Sequence, residues 1–152
     1  MTLIEVRKSI LVCDDNQDVL DFLEQFLKDA GYEVRTTHGY VEFLCEYKSR
    51  PPDLILLDVR MPDRDGFWIA ERLQISNNPA SVIFLTAHDR PLYRLCAPIA
   101  GAVDYVTKPF DPDALIERIK AALAIDAKTS NWFLQATDYE HRLRSNSPSR
   151  EA

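Results

Sequence analysis

The chain has 152 residues, 46% hydrophobic and 28% charged, with a formal net charge of −6. This length and mixture fit one domain with a substantial core, and the acidic balance, with no basic stripe, argues against direct contact with nucleic acid. No stretch approaches the ~18 apolar residues that span a bilayer and no signal-peptide core opens the chain, so a cytoplasmic protein without membrane contact is expected.

The predicted elements alternate strand and helix five times. Strand one covers 9–13, and Val19, Leu20, Phe22, Leu23, Phe26 and Leu27 give the following helix, 17–30, an apolar stripe. Gly31 supplies its stop. Strand two covers 32–37 and a second helix covers 40–48, carrying Val41, Phe43, Leu44 and Tyr47. Pro51-Pro52 ends that helix and launches strand three over 53–58. A loop runs from Met61 to Gly66, helix three covers 67–75 and strand four covers 81–86. Helix four is expected over 90–100, short, kinked or partly unwound, because Pro98 removes a hydrogen bond and clashes four residues back. Strand five covers 104–107 and helix five 112–124, with Leu115, Ile116, Ile119, Ala122 and Leu123 on its apolar face.

Short apolar strands separated by helices read as a parallel sheet buried on both faces, and right-handed crossovers make it a doubly wound α/β sandwich. Residues 1–125 are expected to form this domain. Residues 126–152 form an extension, polar with Ser and Pro at its end, for which partial disorder is expected. It contains the apolar cluster Trp132-Phe133-Leu134, expected to pack on its own domain or a dimer mate, and no recognisable effector domain.

In such sheets the ligand site lies beyond the carboxyl ends of the strands. There the sequence puts Asp14-Asp15, Asp58, Thr86 and Lys108: three carboxylates, a hydroxyl and an ammonium. The paired acids either cap the first helix or, with Asp58, bind a hard cation such as Mg²⁺. The company of Asp58 and Lys108 favours the metal, with Mn²⁺ as a substitute. Asp58 follows four aliphatic residues, and a carboxylate so placed can attack phosphorus to give an acyl phosphate. Lys108 would neutralise one phosphoryl oxygen and Thr86 would hydrogen-bond another, since phosphoryl transfer needs positioning and charge neutralisation. Asp63 and Asp65 read as turn residues before Gly66, and His38 and His141 as surface residues. Cys13, Cys45 and Cys96 show no metal-ligand spacing.

Over residues 9–123 the chain resembles the receiver domain of bacterial two-component response regulators. The resemblance rests on Asp14-Asp15, Asp58-Val59-Arg60-Met61-Pro62 with Gly66, Thr86-Ala87, and Gly101-Ala102-Val103-Asp104-Tyr105 through Lys108-Pro109-Phe110. It implies a flavodoxin-like, five-stranded parallel sheet of order 2-1-3-4-5 with helices on both faces, and a cis Lys108–Pro109 peptide. It also implies a phosphorelay protein rather than a turnover enzyme, which catalyses only its own aspartyl phosphorylation and dephosphorylation. Asp58 would take its phosphoryl group from the phosphohistidine of a sensor histidine kinase or a histidine phosphotransfer protein. Asp15, Asp58 and the Arg60 carbonyl would hold Mg²⁺, with Asp14 acting through water. Thr86 and Tyr105 would be the switch pair, Arg60 and His88 candidates for tuning phosphate lifetime. Output would leave by the face of helix four, strand five and helix five, toward a second copy or a downstream protein.

A flavodoxin-like electron carrier would share this topology, but no Ser/Thr-rich phosphate loop follows strand one. A haloacid-dehalogenase-like phosphatase needs an aspartate two residues after its nucleophile, and Arg60 stands there. A degenerate receiver that docks without phosphorylation is the alternative, although the rim lacks none of its residues.

Overall fold

The computed structural model describes residues 6–125. Five strands, β1 (Ser9–Cys13), β2 (Glu33–Thr37), β3 (Leu54–Leu57), β4 (Ser81–Thr86) and β5 (Asp104–Thr107), alternate with five helices. These are α1 (Gln17–Asp29), α2 (Tyr40–Ser49), α3 (Gly66–Ile75), α4 (Pro91–Ile99) and α5 (Pro112–Leu123). All neighbouring strands pair in parallel, in the order β2-β1-β3-β4-β5. The fold class and strand order are therefore those expected, and most element boundaries move by no more than a residue.

Alternation along each strand sorts the core into two layers. Ile10, Val12, Leu54, Leu56, Ile83 and Leu85 pack with Leu20, Leu23, Leu115 and Ile119, beneath α1 and α5. Leu11, Cys13, Ile55, Leu57, Val82, Phe84 and Tyr105 face the other way, onto Phe43 of α2, Ile69 and Leu73 of α3 and Ala97 of α4. Register thus sends Thr86, two residues beyond Phe84, toward the same side as Tyr105, the cross-strand partner of Phe84. No helix among the described residues is long and apolar enough to cross a membrane.

The helix ends show why the chain turns where it does. The Asn16 side chain accepts from the Asp18 and Val19 amides and caps α1, so the capping reading of Asp14-Asp15 gives way to Asn16. At the other end Gly31, at φ 99°, lets its N–H reach Lys28 O while the Tyr32 N–H reaches Leu27 O, a paired closure that needs a left-handed residue.

Of the forms expected for the fourth helix, short, kinked or partly unwound, it takes the short one without being unwound. α4 is short, at nine residues, but stays α-helical across Pro98. Pro98 falls in its last turn, where the lost N–H removes a single helical bond. The Ala100 N–H still reaches Cys96 O, and the Gly101 N–H reaches the Pro98 carbonyl. The loop over Met61–Gly66 is also one residue shorter than expected, since Gly66 is the first residue of α3. Trp132-Phe133-Leu134, His141 and the whole of 126–152 lie outside the described residues.

Candidate functional site

β1, β3 and β5 run in one direction and end at one edge of the sheet, so the residues that follow them meet there. Asp14 and Asp15 follow β1, Asp58 follows β3 and Lys108 follows β5. Carboxylate oxygens of Asp14, Asp15 and Asp58 lie within 4.8 Å of one another. The Lys108 ammonium is 2.5 Å from Asp14 Oδ2 and 3.6 Å from Asp58 Oδ2. Lys108 is followed by a cis peptide to Pro109, as the resemblance implies.

Burial separates the acids. Asp14 is 2% exposed and Asp58 6%, while Asp15 faces solvent. The buried pair is held by several donors: the Asn16 N–H gives Asp14 a bond of 2.9 Å, and the Arg60 N–H gives Asp58 one of 3.3 Å. Desolvation pushes the Asp58 carboxyl above its ordinary value, and the Asp14 charge adds to this. Lys108 opposes them most strongly, helped by the Arg60 amide and the Thr86 hydroxyl. An oxygen-rich, incompletely neutralised pocket of this kind suits a hard divalent cation, for which the donors present are the right type.

The rim opens into a cleft of about 410 Å³ lined by these groups together with Arg60, Met61, Ala87 and His88. Arg60 and His88 therefore both line the cleft that holds Asp58. Gly66 is required beneath it: a Cβ there would sit 2.2 Å from the Asp58 carbonyl oxygen, and its N–H donates to Val59 O at 2.7 Å. Cys13, next to the rim in sequence, is fully buried, and burial pushes its thiol up to about 12, so it offers no competing nucleophile at neutral pH.

Thr86 is fully buried, and its Oγ1 accepts from the His88 N–H at 3.2 Å. Tyr105 is turned inward, 6% exposed, with its ring 6.4 Å from that of Phe84 and its hydroxyl donating to the His88 carbonyl. One short segment after β4 thus touches both residues.

Some contacts had no sequence signal. The Arg94 guanidinium lies 5.1 Å from the Tyr105 ring centroid while its Nε bonds Asp89 at 2.7 Å. Arg60 Nη2 donates to the Tyr93 hydroxyl at 3.3 Å, tying the loop after β3 to α4. Asp65 caps α3 through the Phe67 N–H, as its reading as a turn residue anticipates. Asp63 instead reaches across to the Tyr40 N–H at 2.7 Å and so caps α2. Spacing along the chain does not report the Arg94–Tyr105, Arg60–Tyr93 and Asp63–Tyr40 contacts, because each joins separate elements. His38 is exposed beside Glu42 and lines a second hollow with Asp15 and Pro62, outside the cleft that holds Asp58.

The family model for the response regulator receiver domain matches residues 10–120. The transcriptional regulatory protein PhoP of Bacillus subtilis, which governs alkaline phosphatase synthesis, is 36% identical over 118 residues, covering 78% of this chain and 49% of that protein. The transcriptional regulatory protein GltR of Pseudomonas aeruginosa is 39% identical over 123 residues, covering 76% and 49%. This chain spans about half the length of these relatives. A CheY-like receiver domain structure from Methanospirillum hungatei superposes with a TM-score of 0.74 at 30% identity, covering 78% of this chain and 94% of that one.

Proposed function

The chain belongs to the response regulator receiver domain family of two-component signal transduction, and from that premise we propose that Asp58 is its phosphoacceptor. The observation that carries this reading is the position of Asp58: buried, at a strand end, 3.6 Å from Lys108 and among two further carboxylates. A carboxylate oxygen of Asp58 attacks the phosphorus of a phosphohistidine; the new O–P bond forms as the N–P bond breaks, and the electron pair stays on the imidazole nitrogen. The donor is a sensor histidine kinase or a histidine phosphotransfer protein.

Asp14, Asp15, Asp58 and the Arg60 carbonyl would hold Mg²⁺, or Mn²⁺ in its place. When bound, the ion neutralises charge on the transferring phosphoryl group. Lys108 supplies fixed positive charge beside Asp58, and Thr86 offers its hydroxyl to a phosphoryl oxygen. Arg60 and His88 control how readily water reaches the acyl phosphate, since both line the cleft. The reaction is the protein's own phosphorylation and dephosphorylation, in the cytoplasm.

Phosphorylation would add roughly two negative charges within reach of Thr86 and Lys108. Thr86 and Tyr105 then report the change to the face of α4, β5 and α5, because both meet the segment carrying His88. The inward ring of Tyr105 is the arrangement that a phosphoryl group drawing on Thr86 would reinforce. A second copy or a downstream protein would read that face. Nothing in the rim favours a receiver that works without phosphorylation.

Intact mass after incubation with Mg²⁺ and acetyl phosphate, beside Asp58→Asn, tests the reading. A gain of one phosphoryl group that needs Mg²⁺ and is absent from the variant is the expected result. Phosphorylation persisting in Asp58→Asn would overturn the assignment.

A further inference from the structure

The outer side of α4 is apolar and lacks a cover among the described residues. Leu92, Leu95 and Ile99 fall on one stripe of the helix and are 63%, 36% and 66% exposed, and Ile75 at the end of α3 is 65% exposed. Between the two helices runs a groove of about 550 Å³, walled by Phe67 and Ile75 of α3 and by Leu92, Tyr93, Cys96 and Ile99 of α4. Three of the seven large hydrophobic side chains most exposed among the described residues, Ile75, Leu92 and Ile99, converge on it. Clustered apolar exposure of this kind marks a surface that is covered by something.

We propose that this groove is the docking site of the chain's own C-terminal segment, with Trp132, Phe133 and Leu134 as the inserted side chains. Topology brings the segment's root to the sheet edge where α3 and α4 also end, on the opposite face of the sheet. The Ala122 carbonyl of α5 accepts from Ser81 Oγ at 3.1 Å, so α5 ends beside the first residue of β4, at the amino edge of the sheet. α3 and α4 end at the same edge, just before β4 and β5, where the Gln74 side chain lies against Gly101. Ile75 and Ile99 stand there.

The reach is adequate. Residues 126–131 separate the last described residue from Trp132, and six extended residues span roughly 20 Å. That crosses the thickness of one sheet and one helix, about 10 Å each. The chemistry also matches, because Trp132-Phe133-Leu134 is the only run of three large apolar residues in 126–152. Two aromatic rings and a leucine fit a slot that is mostly apolar, and Glu71 and Gln74 in its wall offer polar partners for the indole N–H. Tethering raises the local concentration of the segment to about the millimolar range, so a contact too weak between separate molecules becomes populated within one. Tyr93 in the groove wall is also hydrogen-bonded to Arg60, so the docked segment touches a side chain joined to the rim.

The test uses the full chain. Trp68 and Trp132 are its two tryptophans, so Trp68→Phe leaves Trp132 as the sole indole emitter. The expected emission is blue-shifted and resistant to acrylamide at low protein concentration. Adding Ile99→Glu, at a position too exposed to disturb the core, should red-shift it and raise quenching several-fold. Emission like that of a free indole, unchanged by Ile99→Glu, would overturn the proposal. So would a blue shift that grows with concentration alongside dimer formation, since a second copy would then be the occupant.

A second measurement keeps Trp68. In Gln135→Cys, mild oxidation should join the new thiol to Cys96 in the groove several-fold more than to Cys45, the exposed cysteine of α2. Equal yields, or a preference for Cys45, would overturn the docking site.

Discussion

The Lys108 ammonium bridges Asp14 and Asp58, at 2.5 Å and 3.6 Å, so a cation from the end of β5 closes a pocket whose anions come from β1 and β3. Removing it acts in two directions. Lys108→Ala leaves two buried carboxylates without their cation and should destabilise the metal-free protein by about 3 kcal/mol. It also removes a charge that repels Mg²⁺, so metal affinity should rise several-fold. Thermal melts with chelator and with Mg²⁺, together with calorimetric titration, check both. A variant that binds Mg²⁺ more weakly than the parent would contradict this electrostatic account.

Asp58 gives a pH dependence whose sign follows from its burial. Its folded-state value lies above the ordinary 3.8, so the native state binds the proton more tightly than the unfolded chain. Its contribution is fully favourable below that ordinary value and is lost as pH rises through the elevated one. Asp58→Asn should therefore be more stable than the parent at neutral pH in chelator, by ~1 kcal/mol, with the gap closing toward acid. Denaturant unfolding across that range measures it.

Gly66 is the least replaceable residue near the site. Its missing Cβ leaves room for the Asp58 carbonyl at a separation no side chain tolerates. Gly66→Ala must move the loop after β3 or the start of α3, costing about 3 kcal/mol and displacing Asp58. Thermal unfolding should show the loss, and Mg²⁺ binding should weaken with it.

Arg94 and Tyr105 connect the site to α4 through a cation stacked on a ring. Arg94→Ala should lower the inward population of Tyr105 by a free energy of about 0.5–1 kcal/mol. Ring and His88 amide resonances, followed by NMR relaxation dispersion without phosphodonor, report that population. Tyr105→Phe, which loses only the hydroxyl bond to His88 O, should keep the ring packed on Phe84.

Much of this molecule is legible in one dimension. Hydrophobic runs such as Leu54–Leu57 must be buried on both faces, helix-length stretches must cross between parallel strands, and reactive side chains following such strands must meet at one edge. Asp14, Asp15, Asp58, Thr86 and Lys108 could thus be assembled from order and residue type. Pro98 misled because helical disruption depends on position within the helix: in the last turn, just before the left-handed Gly101, the missing N–H removes one bond and leaves the helix intact.

Tertiary structure alone decided the rest. Which acid is buried and which is wet, Asp14 against Asp15, depends on how neighbouring strands stack. The cap that Asp63 gives to α2, the grip of Arg94 on Tyr105 and the bond from Arg60 to Tyr93 all join elements whose approach is set by packing. Local sequence encodes the period and ends of each element through backbone and solvation energetics. Contacts across elements follow from the side-chain volumes that separate one layer from the next, and no local pattern records them.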